Sequence, residues 1–187
     1  MKNQFKKFTV VLAVAAMVAF SFSVHAQRAS GIRYSVGAET GIPVGTLSDN
    51  YKWNLGGSIQ ADAPIYKDQL YVTLNAGYNN IFAEKKSSGT VEDIHLIPVK
   101  AGIKYFPVAN FYIHGEAGVS FITAKHALAD KSAAFVYAPQ LGYLIPLGGK
   151  SFLDAGVRFE GNTKFYDQGK SSNFLGLRVA YAFGIGK

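Results

Sequence analysis

The side chains best suited to chemistry lie together in one short segment. His114 and Glu116 are two residues apart, and Ser120 follows at the same parity. On a strand, residues two apart point to the same face. These three therefore have the composition of a base, an acid and a nucleophile. A Ser–His–acid relay needs its members within hydrogen-bond reach of one another. The same three residues on a packed face make an ordinary polar network, and that reading carries more weight. His114-Gly115-Glu116 also has the H-x-E form of the zinc deaminases, but the chain has no cysteine to complete such a ligand set. The lack of cysteine further excludes a disulfide framework, a thiolate metal site and a cysteine nucleophile. His95 and His126 fall near or in polar connections, where an imidazole is usually solvated. No catalytic, cofactor-binding or metal-binding residue is assigned.

The elements that must position these groups read as strands. Leu153, Ala155, Val157 and Phe159 alternate with Asp154, Gly156, Arg158 and Glu160. Ile97, Val99, Ala101, Ile103 and Tyr105 alternate with Pro98, Lys100, Gly102 and Lys104. Such period-two patterning recurs through residues 32–185 and predicts half-buried strands rather than helices. Eight segments result, at about 32–43, 53–65, 70–82, 94–106, 111–123, 133–145, 151–165 and 173–185. The connections near 44–52, 83–93, 124–132 and 166–172 are long and polar, and those near 66–69, 107–110 and 146–150 are short. Ser132–Gly149 is a run of 18 residues without a charge, long enough for a membrane-spanning helix. Pro139, Pro146, Gly142, Gly148 and Gly149 within it argue for a strand instead.

Residues 1–26 read as a secretory leader: Lys2, Lys6 and Lys7 precede the uncharged run Phe8–Phe22, and Val24-His25-Ala26 is a cleavage site. The expected mature domain is 27–187. The leader holds three of the 19 basic residues and none of the 12 acidic ones, so the mature chain keeps a net charge of +4. Beyond the leader the one adjacent basic pair is Lys85-Lys86, with Glu84, Glu92 and Asp93 close by. That distribution offers no nucleic-acid face.

Alternation alone does not say which face is inside. A soluble barrel turns apolar residues inward, and a membrane barrel turns them toward lipid. Aromatics gather at both ends of the segments. Tyr66, Tyr71, Tyr105, Phe106, Phe111, Tyr112, Tyr143 and Phe152 flank the short turns; Tyr51, Trp53, Tyr78, Phe82, Phe121, Phe135, Phe165, Tyr166 and Phe174 lie toward the long connections. Two aromatic girdles fit the two interfaces of a bilayer. The polar faces carry both signs of charge: Arg33, Lys100, Lys104, Arg158, Lys164 and Arg178 against Glu39, Asp62, Glu116, Asp154 and Glu160, with His114 among them. These groups are expected to pair as an interior polar network. The fold class expected is all-β, an eight-stranded antiparallel up-and-down transmembrane β-barrel. Pro98 and Pro139 fall within its strands, where a missing donor predicts a bulge or a strand end.

Ile97-Pro98-Val99-Lys100-Ala101-Gly102-Ile103-Lys104-Tyr105-Phe106, Gly156-Val157-Arg158-Phe159 and Leu177-Arg178-Val179-Ala180-Tyr181-Ala182-Phe183 resemble the small outer-membrane β-barrel domain proteins of Bacteroidota. Those include PorT-type members and OmpA/OmpX-like eight-stranded barrels. The resemblance implies the outer membrane of a Gram-negative bacterium. The partners then expected are outer-membrane lipid, lipopolysaccharide and the barrel-assembly machinery, with no nucleic acid, no cofactor and an unknown extracellular ligand. Among functions, a structural or surface-interaction role through the loops leads. A lateral route for small hydrophobic molecules is the alternative. A lipid-modifying enzyme ranks below both, because deacylase-type barrels carry His-x-Ser and no His here has Ser two residues later. Eight strands leave a lumen that side chains fill, unlike the 16–18 strands of porins. With the N-terminus in the periplasm, the four long connections fall outside the cell. An epitope tag after Ser88 should be detected by antibody on intact cells, whereas a tag after Asp68 should require permeabilisation; the opposite result would invert the topology.

Overall fold

The computed structural model describes residues 31–45, 48, 51–84, 93–123, 133–163 and 172–185. Eight strands run in chain order: β1 Ile32–Val44, β2 Tyr51–Tyr66, β3 Leu70–Ala83, β4 Ile94–Tyr105, β5 Phe111–Ile122, β6 Ala133–Gly148, β7 Ser151–Asn162 and β8 Ser172–Ile185. Each pairs antiparallel with its sequence neighbours, and β1 pairs with β8, so the sheet closes on itself. Closure leaves no edge strand with unpaired backbone groups. The uncharged run of residues 132–149 is largely β6, whose residues alternate between buried and exposed. β6 runs three residues past the expected end because a register shift between Pro146 and Gly148 carries it round the corner. β7 stops at Asn162, three residues short of expectation.

The faces are inverted relative to a soluble barrel. Arg178 and Lys104 are 0% exposed, whereas Ile59 is 63% and Leu74 60% exposed. Outward positions are apolar on every strand, among them Val36, Leu55, Val72, Val99, Ile113, Leu141, Val157 and Leu177. A wall of that kind suits hydrocarbon and not water.

Pro98 and Pro139 are accommodated without the expected bulges, whereas Pro64 and Pro146 adjoin register shifts at the strand ends. The β3–β4 register runs from Ala76↔Val99 to Asn79↔Leu96 with the pairs of Gly77 and Tyr78 missing. The β6–β7 register likewise skips from Tyr137↔Gly161 to Gln140↔Arg158. The register is unchanged on either side of each gap, so Pro98 and Pro139 interrupt the ladder without displacing it. Each proline keeps full pairing on its other side, as Pro98↔Ser120 and Gly115↔Pro139. The loss is confined to one donor per site.

Large inward side chains need small neighbours. Tyr112 faces Gly142 across the β5–β6 ladder, and a Cβ at Gly142 would lie 2.3 Å from the Tyr112 ring and hydroxyl. Outward-facing Gly115 has nothing within 4 Å of the same construction. Gly142→Ala should therefore destabilise the barrel by about 1–3 kcal/mol through overpacking, while Gly115→Ala should stay within about 0.5 kcal/mol of wild type. Urea unfolding in detergent, followed by intrinsic fluorescence, checks the ranking; equal effects would show that Tyr112 does not lie against Gly142.

Candidate functional site

Period-two geometry delivers one polar stripe per strand to the lumen, and closure brings the stripes face to face. Among the described residues, five cations (Arg33, Lys100, Lys104, Arg158, Arg178) and five anions (Glu39, Asp62, Glu116, Asp154, Glu160) project inward. They join end to end with alternating sign. Arg33 Nη1 lies 3.8 Å from Asp62, and Lys104 Nζ is 2.8 Å from Asp62 and 3.5 Å from Asp154. Arg178 reaches Asp154 through Nη1 and Glu39 through Nε, both at 3.4 Å. Arg158 continues from Glu39, at 2.6 Å, to Glu116, to which its Nη2 donates. Lys100 then lies 3.7 Å from Glu116 and 2.8 Å from Glu160. No two like charges are adjacent in the chain. Desolvated ions are tolerated only when paired and hydrogen-bonded in this way.

Neutral groups add hydrogen bonds to this path, while Asn54, Asn75, Gln140 and Asn162 each keep a buried polar atom without a hydrogen-bond partner. Tyr112 donates to Asp154 at 2.5 Å and accepts from Gln140 Nε2 at 2.5 Å. Gln60 donates to Asp62 at 2.6 Å, and Ser58 donates to Glu39 at 2.6 Å. Arg178 donates to Ser35 at 3.0 Å and to Ser58 at 3.2 Å. That makes Arg178 the junction between the Asp62 half of the chain and the Glu116 half.

Apolar clusters cover the charged layer at both ends. Toward the short turns, Tyr71, Phe106, Tyr112, Leu144, Phe152 and Ala182 pack together. The Arg33 guanidinium sits 5.0 Å from the Tyr71 ring centre, 5.4 Å from Phe152 and 5.7 Å from Phe106. A guanidinium among ring faces is held by their quadrupoles. Toward the long connections, Ile81, Leu96, Ala134 and Phe174 form a second cluster, with Tyr51, Ile94 and Ile122 against it. The crevices beside these layers, at Glu39–Asn54–Arg158 and at Arg33–Tyr71–Phe106, measure about 10 Å³ each. That is room for one water molecule.

No model of a known protein family matches the sequence, and no curated protein matches it. Solved structures do. Neisserial surface protein A superposes with a TM-score of 0.60 at 16% identity, over 83% of this chain and 98% of that one. The outer membrane protein OprG from Pseudomonas aeruginosa gives 0.54 at 13% identity, over 86% of this chain and 98% of that one. The fold is that of an outer-membrane β-barrel. At such identities the likeness concerns the fold alone.

The structure brings eleven of the twelve residues expected in the polar network into one lumen; the twelfth, Lys164, lies outside the described residues. His114 is inside, with Nε2 2.9 Å from Thr73 Oγ1 and 3.8 Å from Glu116 Oε1. Glu116 is committed to Arg158 and Lys100, and Ser120 Oγ has no hydrogen-bond partner. The three residues do not form a relay.

The aromatic girdles need correction. Tyr71, Phe106, Tyr112 and Phe152 are buried in the lumen, and so is Phe174 at the other end. Tyr66, Tyr105 and Tyr143 do face outward near the short turns, as do Trp53, Tyr78, Phe121 and Phe135 near the long connections. Phe165 and Tyr166 lie outside the described residues. Parity carried the signal that counting missed: Tyr112 shares its face with His114 and Glu116, and Tyr71 shares its own with Thr73 and Asn75.

Removing one member of a buried pair strands its partner, so Arg158→Ala should cost about 3–5 kcal/mol. Lys52, 62% exposed and 3.5 Å from Glu84, should cost less than about 1 kcal/mol on replacement by Ala. Denaturant titration of both variants in the same detergent measures the difference; similar losses would mean that the lumenal pairs contribute no more than surface ones.

Proposed function

We propose that this chain is an integral outer-membrane protein of a Gram-negative bacterium. In this reading a closed, occluded barrel serves as a rigid scaffold for the long connections outside the cell. One observation carries it: an apolar outer wall surrounds ten paired, alternating charges that are covered by apolar clusters at both ends. A wall of that polarity needs lipid, and a lumen filled in that way passes no solute. Loops on rigid scaffolds frequently bind partners. Lipopolysaccharide, outer-membrane lipid and the barrel-assembly machinery are the partners this reading implies. The motif around Ile97–Phe106 supports placing the chain with the PorT-type barrels of Bacteroidota, and the Val24-His25-Ala26 pattern supports cleavage after Ala26. No catalytic role is assigned, since His114, Glu116 and Ser120 are each engaged or placed apart from one another.

A second reading has a specific observation behind it. The outer wall of β8, β1, β2 and β3 carries an apolar groove of about 580 Å³, lined by Tyr34, Val36, Ile59, Ala61, Leu74, Ala76 and Phe183 among others. A small hydrophobic molecule could lodge there on a lateral route. The packed lumen behind the wall favours the scaffold.

Conductance separates the two classes of function. The reconstituted chain should give no steady current in planar bilayers, while migrating as a compact species on gels until heated. Large, stable channels would overturn the occluded scaffold.

A further inference from the structure

The apolar groove on the outer wall has a direction, and the strand register supplies it. Its floor is Ala61 on β2 and Ala76 on β3, small residues among large ones. Across the ladders Ala61 lies between Tyr34 and Leu74, and Ala76 lies beside Ile59. Toward the short turns the groove ends at Phe183 and Ile185. From Ile185, opposite Ile32 on β1, it climbs to Ala61 and then to Ala76, two residues further along and one strand further round at each step. Closure has the same climb built in. A row of paired residues followed once round the barrel from Tyr34 returns to β1 at Val44, nearer the long connections. Strands staggered in this way tilt by about 35–45° from the barrel axis, and a path that gains one strand for every two residues cancels that tilt. The groove therefore runs along the barrel axis. Strand rise and spacing give it a length of roughly 15–20 Å, the scale of one leaflet and not of a whole ~30 Å hydrocarbon core. Beneath it the wall is sealed, since Ser35 accepts from Arg178 and Gln60 donates to Asp62 while accepting from Asn75.

We propose that this groove seats one straight, saturated acyl chain of a phospholipid in the leaflet beside the short turns. The proposal rests on the reading above, in which the apolar wall lies in lipid. The groove is continuous with that wall, so hydrocarbon is what reaches it. Between lipid tails and an apolar wall there is no hydrophobic driving force, and packing alone distinguishes one site from another. On a convex stretch of wall an acyl chain touches protein on one side. In the groove it meets Ala61 and Ala76 beneath it and Tyr34, Ile59 and Leu74 at its flanks. A cis double bond would bend the chain off the axial path, whereas a saturated chain keeps its contacts along the whole length. The headgroup then lies level with Ile185, at the short-turn end. A second copy of the barrel would bring a convex wall, which spans a groove without filling it.

The full chain is folded into vesicles of phosphatidylethanolamine and phosphatidylglycerol, and the phospholipid it keeps on transfer to detergent is counted by native mass spectrometry. Dipalmitoyl- and dioleoyl-phosphatidylglycerol are then titrated in competition. One phospholipid should be retained per barrel, with the dipalmitoyl form preferred about fivefold. Ala61→Phe together with Ala76→Phe fills the groove and should lower retention about tenfold; Ala76→Ile alone should lower it less. Ala117→Phe, outward on β5, alters the wall elsewhere and should leave retention unchanged. A phospholipid carrying a diazirine at mid-chain should label residues 59–61 and 74–76 in preference to β5. Heat-dependent gel migration shows that each variant is folded. No retained lipid, equal retention by the filled and wild-type chains, equal retention of the two lipids, or labelling spread evenly over the wall would overturn the seat. A dimer that is lost when the groove is filled would assign the groove to a second copy and overturn it too. Failure of the wild-type chain to enter the vesicles would overturn the lipid-wall reading itself, a result distinguishable from the others.

Discussion

A lipid-facing β-wall turns the charged side chains of its mid-strand rows inward, and that constraint governs the rest of this molecule. Backbone groups inside a bilayer must be paired within the protein, which strands achieve only by closing. Once the sheet closes and its apolar face turns outward, the polar residues of all eight strands share one narrow space. Ten charges there are stable only if each lies against its opposite. The alternating path from Arg33 to Glu160 is the arrangement that meets this requirement. Arg178 is its centre, because a guanidinium has donors enough for Asp154, Glu39 and two serines at once.

Filling the lumen with long side chains creates a second requirement, for space. Every strand has at least one inward glycine, including Gly37, Gly56, Gly77, Gly102, Gly118, Gly142, Gly156 and Gly176. At Gly102 and Gly118 a Cβ would come within 2.3 and 2.0 Å of a neighbouring strand's backbone. Small residues at such points allow the strands to close tightly around Lys100, Lys104 and Arg158. The high glycine content is therefore a packing property of the lumen more than a property of turns. The two apolar clusters lie at the two ends of the charged layer, one toward the short turns and one toward the long connections.

The charged groups of the lumen are engaged with one another. Side chains that would be candidate catalysts in an open cleft, such as His114 and Glu116, are held by Thr73, Arg158 and Lys100. Pro98 interrupts the ladder between β3 and β4, and Pro139 does so between β6 and β7, in each case without displacing the register on either side.

Strand number, strand bounds to within three residues and the identity of the inward charges were readable from alternation, because a strand's side-chain period does not depend on what it packs against. Sequence also specified that the loops alternate between long and short, and hence which ends lie together. Proximity to a turn does not tell lipid-facing aromatics from lumenal ones, being the same for Tyr105 and Phe106, but parity does, since Phe106 continues the face of Lys104 and Tyr105 that of Ile103. Pairing partners were hidden, since Arg178 and Ser35 lie 143 residues apart and meet only where β8 closes on β1. Local periodicity determines the face of each residue. The order in which opposite charges meet across the lumen is a property of the closed register, which no single strand contains.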